Sequence, residues 1–499
     1  MKSLVWVLCC LACEPAKSYA TVESSTTSQA IGTGCFDPAA YGAIPSDGIS
    51  DRPALQAAAD AAMAAGGAQT VCLGPGIWDC SKAPLGSYNR AACVSVHSGT
   101  ITFAGAGTAF TTMRLAGDQG NADIVMVSHD PGSAGGVQDM TFETSDATNT
   151  SEQTHAMGTT GLCSPGNCKP IGPLLYQRLV IHHPRPADGR RKGDGIRLLG
   201  DSPAVAIHGV VIANVAFTSC ARSCIQPQRG VHGLVIRDSE FWAQQPIHGE
   251  SSGGSVPLED EDADIYSNTF HTTELDGAPL PTDYDIALSG PPGSGPYDRI
   301  RIHSNVGSRG YYLYRTSNLE IYDTFISVNM HTPGGVIEVG NRCDSTSIHG
   351  VTLQRSGVAG PLIRLTTRDA SACSNARVAD SVLVQNTQGH GIHAESVDGL
   401  QVERVTMVWG VPAPDHAGVW HRATTVRINS MTVHDSWMAG PVGTAVTLSS
   451  TPGGIGIAHV IDNRARGNVA GLRCLGNAVT SVEYTLNQLG SVSCPYVLP

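Results

Sequence analysis

The sequence predicts an all-β fold in which a single chain winds into a solenoid of parallel strands, a parallel β-helix. Three observations carry that expectation. The composition is turn-rich and β-leaning, with 57 Gly against 8 Phe in 499 residues and only 15% charged side chains. Branched aliphatic residues recur in two interleaved series. After Gly66 no amphipathic helical period separates the strand-like segments, as separate βαβ units would require.

The first series runs through GDGIRLLG, SCIQPQ, QPIHGES, DIALSG, YYLYRT, VIEVG, LIRLTT, GIHAES, GVWHRA and AVTLSS. Its central residues are Ile196, Ile225, Ile247, Ile286, Tyr312, Ile337, Ile363, Ile392, Val419 and Val446. Most neighbours are about 22–29 residues apart, short of the roughly 40–45 of a propeller blade, and the step from Ile247 to Ile286 is longer. The second series is Ile212, Ile236, Ile265, Ile302, Ile321, Ile348, Val378, Val402, Ile428 and Ile461. Two residues beyond most of these stands a small polar residue suited to a turn: Asn214, Asp238, Ser267, Ser304, Asp323, Asp380, Ser430 or Asn463. Both series read as inward ladders, one rung per coil, stacked about 4.8 Å apart by strand pairing. Each buried branched rung contributes about 1.5–3 kcal/mol, so the ladders supply a long core without a globular centre.

Residues 36–78 read FDPAAYGAIPSDGISDRPALQAAADAAMAAGGAQTVCLGPGIW. Ser46-Asp47-Gly48 predicts a turn. Asp51 stands where a helix cap belongs, with Pro53 in the first turn, an alanine-rich helix over Ala54–Ala65, and Gly66-Gly67 to end it. A strand Thr70–Leu73 and a Gly74-Pro75-Gly76 turn follow. This stretch resembles the opening segment of the pectin-lyase-like, right-handed parallel β-helix family, the group of pectate lyases, rhamnogalacturonases and epimerases. The resemblance implies a single-stranded right-handed solenoid with a short N-terminal helical cap. It also implies activity on polysaccharide. The expected organisation is a signal peptide over 1–20, the cap segment over 34–80, coils over 81–465 and a C-terminal tail over 466–499.

Net charge is −12 with no Lys/Arg block, which excludes the concentrated basic surface that a nucleic-acid partner needs. Past the N-terminus no segment approaches the roughly 18 uninterrupted apolar residues of a membrane span. Lys2, the apolar run Leu4–Ala12 and Ser18-Tyr19-Ala20 read as a secretory signal, predicting a secreted or periplasmic protein. Without Cys9, Cys10 and Cys13, twelve of the 15 cysteines remain, an even number expected to be oxidised. Sequence proximity pairs Cys163 with Cys168, Cys220 with Cys224, Cys343 with Cys373, and Cys474 with Cys494. These twelve contain no CxxC, which argues against zinc.

If the first ladder points inward, its immediate neighbours point outward and stack into a stripe. That stripe reads Arg197, Gln226, His248, Ala287, Leu313, Glu338, Arg364, His393, Trp420 and Thr447. A second row, two residues further on, includes Glu250, Ser289, Arg315, Thr366, Glu395 and Arg422. Such a mixture suits an acidic polysaccharide. Arginines pair with uronate carboxylates, a base takes a proton or activates water, and an aromatic ring stacks on a sugar. Two subsites emerge: His248 with Glu250, walled by the long segments Ser251–Asp262 and His271–Asp285, and Glu338, Arg364, His393 and Glu395 on three successive coils. Arg197, Arg315, Trp420 and Arg422 are candidate substrate contacts. Glu338 and Glu395, two coils apart, sit at a separation near that of an inverting carboxylate pair.

Other motifs weigh less. The acidic run Leu258–Asp264 can bind Ca²⁺ or form a solvated loop; no other cofactor is implied. Gly389-His390-Gly391 matches one element of the polygalacturonase-type hydrolases, but their Asn-Thr-Asp and Asp-Asp elements are missing, so His390 reads as the turn into a rung. Gly249-Glu250-Ser251-Ser252-Gly253 fits a nucleophile elbow formally, yet Gly254, Ser255 and Pro257 do not continue as a helix. The expected function is lyase, epimerase or glycoside hydrolase chemistry on a uronate-containing polysaccharide. The alternative is a non-catalytic glycan-binding or structural surface β-helix.

Overall fold

The computed structural model describes residues 35–498 apart from segments 82–90, 117–123, 145–153, 160–167, 183–193, 251–259, 273–283, 290–296, 330–333, 368–372, 424–427, 451–454, 467–469 and a few shorter pieces. The expected signal peptide, Cys163, Ser251 of the elbow motif and most of the two long walls lie outside the described residues.

The chain is a parallel β-helix. Fifteen strands, each from a different coil, form one continuous sheet, and a 29-stranded sheet closes the rest of the wall. The larger sheet takes two strands from many coils, as where Val231–Arg237 and Glu240–Ala243 pair with Asp260–Tyr266 and Thr269–Thr272. Strands continue past residue 466, through Ala470–Leu475 and Val479–Thr485 to Val497–Leu498. At the other end the helix Arg52–Ala65 buries Leu55, Ala58, Ala59 and Ala62, and stops at Gly66. Asp51 occupies the N-cap position without capping. Its carboxylate instead accepts from the Ile44 and Asp79 amides at 3.1 and 2.9 Å, which ties the preceding turn and the strand Gly76–Cys80 to the helix start.

The first ladder is in register from Ile196 through Ile225, Ile247 and Ile286, then Tyr311, Ile337, Ile363, Ile392, Val419 and Val446. One rung differs from the sequence expectation. Tyr311, not Tyr312, faces Ile286 and Ile337, so Tyr312 and Tyr314 take the outward places and Leu313 is interior. Two adjacent tyrosines offer the same apolar body to the core, and only pairing with both neighbours decides between them.

The second ladder holds from Ile212 to Val402 and ends in Val433 and Val460 rather than Ile428 and Ile461. Two residues past each rung the chain turns a corner in left-handed conformation. Asn214, Asp238, Ser267, Ser304, Asp323 and Asp380 have φ between 48° and 56°, as do Asp435 and Asp462 where Ser430 and Asn463 were expected. Short polar side chains tolerate this region, which explains their recurrence.

The next position inside the corner carries amides. Asn268 accepts from the Ser239 amide at 3.1 Å and donates to the Ile236 carbonyl at 3.0 Å and to Asn305 Oδ1 at 3.1 Å. Asn305 repeats the bond to the Ile265 carbonyl, and Asn463 with Asn487 rebuilds the device near the C-terminus. Beside it the rings of Phe217, Phe241 and Phe270 stack at 4.8 and 5.0 Å.

Disulfides join Cys220–Cys224, Cys343–Cys373 and Cys474–Cys494 as expected, together with Cys35–Cys72 and Cys80–Cys93 in the cap region. Cys168 is also disulfide-bonded. No helix among the described residues is long and apolar enough to cross a membrane.

Replacing Asn268 by Ala leaves the buried Ser239 amide and Ile236 carbonyl without their partner. The expected loss is about 2–4 kcal/mol of unfolding free energy, measured by denaturant titration, because each orphaned buried group costs about 1–3 kcal/mol. An unchanged midpoint would remove the amide ladder from the stabilising interactions.

Candidate functional site

Register builds the stripe directly. In the fifteen-strand sheet, Tyr312 lies beside Glu338, Glu338 beside Arg364, Arg364 beside His393, and His393 beside Trp420. The parallel row carries Tyr314, Gly340, Thr366, Glu395 and Arg422. Four residues of one subsite, Glu338, Arg364, His393 and Glu395, therefore share one face, with Trp420 and Arg422 on the next coil. Arg315 does not join the row. It falls one place beyond Tyr314 in left-handed conformation, with its amide on the Gly340 carbonyl. The same one-residue slip that moved Tyr312 outward displaces it.

His248 pairs with Ala287, which pairs with Tyr312, so the His248 and Glu338 subsites stand three coils, roughly 14 Å, apart. Glu250 lies beside Ser289 in register. Toward the N-terminus the stripe is covered: Arg197 is buried and donates twice to Gln228 Oε1, at 2.9 and 2.7 Å, and Gln226 is also buried.

Glu338 is 2% exposed. Tyr314 Oη donates to its Oε1 at 2.9 Å, the Gly335 amide donates to Oε2 at 3.2 Å, and Arg364 Nη1 lies 3.6 Å from Oε1. Gly334 leaves room for this arrangement, since a Cβ there would meet Glu338 Oε2 at 1.8 Å and Tyr284 Oη at 2.7 Å and displace those side-chain ends. Three tyrosines enclose the carboxylate, with Tyr312 stacked between Tyr284 at 5.2 Å and Tyr314 at 4.2 Å. Burial first, then the charge of Glu338, pushes the Tyr284 and Tyr314 phenols up, so both stay protonated at neutral pH.

One coil beyond Arg364, His393 stacks on Trp420 at 4.6 Å and 11°. Its Nε2 is buried without a hydrogen-bond partner, as is Trp420 Nε1. Burial, then the charges of Arg364 and Arg422, lowers the His393 pKa to about 4. His390 joins this group, with its ring 4.4 Å from Trp420, 5.0 Å from His416 and 5.6 Å from His393. The Gly389-His390-Gly391 turn thus does two things. Gly389 passes too close to the Gly360 carbonyl and Gln385 for any Cβ, while His390 packs against the outward ring cluster and accepts from the Ala417 amide at 3.0 Å. Its pKa falls to about 3, mainly through burial.

Sequence reading missed Tyr284, Tyr312 and Tyr314. The YYLY string was the available signal, masked by its ambiguous register. In the acidic run, Glu261 and Asp262 carry Arg299 at 2.6 Å each, and Asp264 carries Arg301 and His303 at 2.8 and 3.1 Å. Among the described residues no group of three or more His, Cys, Asp or Glu is arranged to hold a metal ion.

No family model matches the chain, and no curated protein matches its sequence. Among solved structures it is similar to the A-module of the mannuronan C-5 epimerase AlgE6 from Azotobacter vinelandii, at 15% identity and TM-score 0.42, over 93% of this chain and 99% of that one. It is also similar to the catalytic unit of the GH87 alpha-1,3-glucanase from Streptomyces thermodiastaticus, at 12% identity and TM-score 0.44, over 94% and 71%. A third is PfbA, a surface adhesin of Streptococcus pneumoniae, at 11% identity and TM-score 0.37, over 91% of each chain. These likenesses assign no role to any side chain of this protein.

The site's electrostatics predict that His390 and His393 remain neutral from pH 5 to pH 8. Their imidazole resonances, followed by NMR and assigned with His390→Gln and His393→Gln variants, should stay flat over that range. A His393 titration near the ordinary value of about 6.5 would contradict the buried, cation-flanked environment.

Proposed function

We propose that the protein processes an acidic, uronate-containing polysaccharide by removing the proton from the carbon beside the uronate carboxylate, so that elimination or epimerisation follows. One observation carries this reading: a guanidinium, Arg364, stands in one row between a buried carboxylate and an uncharged imidazole, His393. A uronate carboxylate binding Arg364 would have its charge neutralised by a paired cation, which makes the adjacent C–H more acidic. His393, one coil further along, is uncharged at neutral pH and accepts that proton on a ring nitrogen. In elimination the electron pair then expels the glycosidic oxygen, which takes up a proton. In epimerisation a proton returns to the same carbon from the opposite face. Tyr284 and Tyr314 keep their phenol protons and stand beside Glu338 as candidate donors.

A bound uronate also acts on the base. Burial, and then the charges of Arg364 and Arg422, hold the His393 pKa down, and an anion paired with the two arginines offsets their share of the effect. Substrate binding therefore raises the basicity of His393 when it is needed. The fifteen-strand sheet suits a polymer, because its rows offer a contact about every 4.8 Å along one axis. Five disulfides among the described residues fit an oxidising compartment outside the cytoplasm.

The test is incubation with pectic, alginate and rhamnogalacturonan polymers in D₂O. Solvent deuterium at the carbon beside the carboxylate is expected, with ultraviolet absorbance if the reaction is elimination. New reducing ends without deuterium or absorbance would indicate hydrolysis and overturn the proposal. Binding with no product would make the protein a glycan-binding module. His393→Ala should lower turnover by about 10²–10⁴-fold, the usual worth of a positioned base. For the free enzyme, kcat/KM should fall as pH drops through about 4, where His393 gains its proton.

A further inference from the structure

Arg355 lies in the interior, away from the polymer face, and is 0% exposed. Its guanidinium donates to four backbone carbonyls: Nε to Val358 at 2.8 Å, Nη1 to Gly334 at 2.7 Å and to Pro361 at 2.9 Å, and Nη2 to Ala359 at 3.3 Å. Gly360 makes room for it, since a Cβ there would meet the guanidinium at 2.7 Å. The bonded carbonyls belong to two corners. One, at Gly334, leads into the strand that carries Glu338. The other, at Val358–Pro361, leads into the strand that carries Arg364.

The neighbouring coils hold different residues at the same register. Arg355 pairs with Gln385, and Gln385 with Trp409. Gln385 donates to the Gly360 carbonyl at 2.7 Å, and Trp409 donates to the Gly389 carbonyl at 3.0 Å. In these three successive coils the last inward side chain of one face fixes the corner that leads onto the next strand of the fifteen-strand sheet, whereas the preceding coil carries Val328 at this register. Of the three, the Glu338 coil has an arginine, which reaches two corners together.

We propose that Arg355 is a positioning residue for Glu338: by clamping the Gly334 carbonyl it holds the Gly335 amide on Glu338 Oε2, and by clamping Val358–Pro361 it sets the spacing between Glu338 and Arg364. This role serves the uronate site proposed above but is measurable without any turnover. Arg355 also opposes Glu338 electrostatically from within, while burial lowers its own pKa to about 10. Tyr284, Tyr312, Tyr314 and Arg364 are the other titratable or charged groups placed around that carboxylate among the described residues.

The test compares R355M, R355Q and R355K with Gln385→Leu by hydrogen–deuterium exchange over peptides spanning residues 334–340. In R355M the exchange of this segment should accelerate at least tenfold, while the ladder strand Ile392–Glu395 keeps its protection. R355Q, which retains a donor for one corner, should recover part of the difference, and Q385L should leave the segment unchanged. If R355M does not fold, R355Q and R355K read the same segment. With a turnover assay in hand, kcat should fall at least tenfold in R355M with KM altered less than threefold. Unchanged exchange at 334–340 in folded R355 variants, or an equal effect from Q385L, would overturn the positioning role. Absence of turnover on every uronate polymer would remove the proposed function and leave the clamp standing on its exchange signature.

Discussion

Everything on the functional face depends on coil-to-coil register. A parallel strand pair shifted by one residue sends each side chain to the opposite face. In this chain Glu338, Arg364, His393 and Trp420 meet only because Ile337, Ile363, Ile392 and Val419 are stacked as buried rungs beneath them. The rungs contribute burial; the corners fix the phase. Left-handed residues, mostly Asp, Asn and Ser with Gly350 and Arg404 among the exceptions, turn the chain at the same point in successive coils, and the amides of Asn268, Asn305 and Asn463 satisfy the buried backbone there. The site is a consequence of that phase, not a separate construction.

Such a scaffold also sets the site's electrostatics. Glu338 is taken out of water, and hydrogen bonds from Tyr314 and Gly335 with Arg364 nearby offset the cost of burying it. His393 lies next in the row, beside a cation and under an indole, and remains neutral. A carboxylate, a guanidinium and a neutral imidazole at one-coil intervals form a gradient of charge along the axis. An anionic polymer lying on that axis, as proposed, would meet Arg364 and His393 in sequence.

The solenoid was legible because period and burial repeat. Ladder residues such as Ile225, Ile302 and Ile363 announce themselves by spacing, and the stripe of Glu338, Arg364, His393 and Trp420 follows by counting one residue on. Where two readings cost the same in local terms, the sequence was silent. Tyr311 and Tyr312 are equally good core residues in isolation, so the slip that puts Tyr312 outward and Arg315 out of the row appears only in three dimensions. Ile428 and Ile461 looked like rungs because branched aliphatics near a turn are common, yet Val433 and Val460 lie two residues before Asp435 and Asp462 and take the place. Arg355 was invisible for a different reason. An arginine at a strand end reads as surface, and the carbonyls of Gly334, Val358, Ala359 and Pro361 that converge on it in three dimensions account for its burial.

The central claim is that the row Glu338–Arg364–His393 receives the uronate. A crystal structure of the His393→Ala variant soaked with a uronate oligosaccharide tests it most directly. The account predicts the sugar chain lying along the coil axis on the fifteen-strand sheet, one carboxylate paired with Arg364 and the carbon beside it facing the space vacated at position 393. An oligosaccharide bound on the other sheet, or crossing this one with no carboxylate at Arg364, would contradict it.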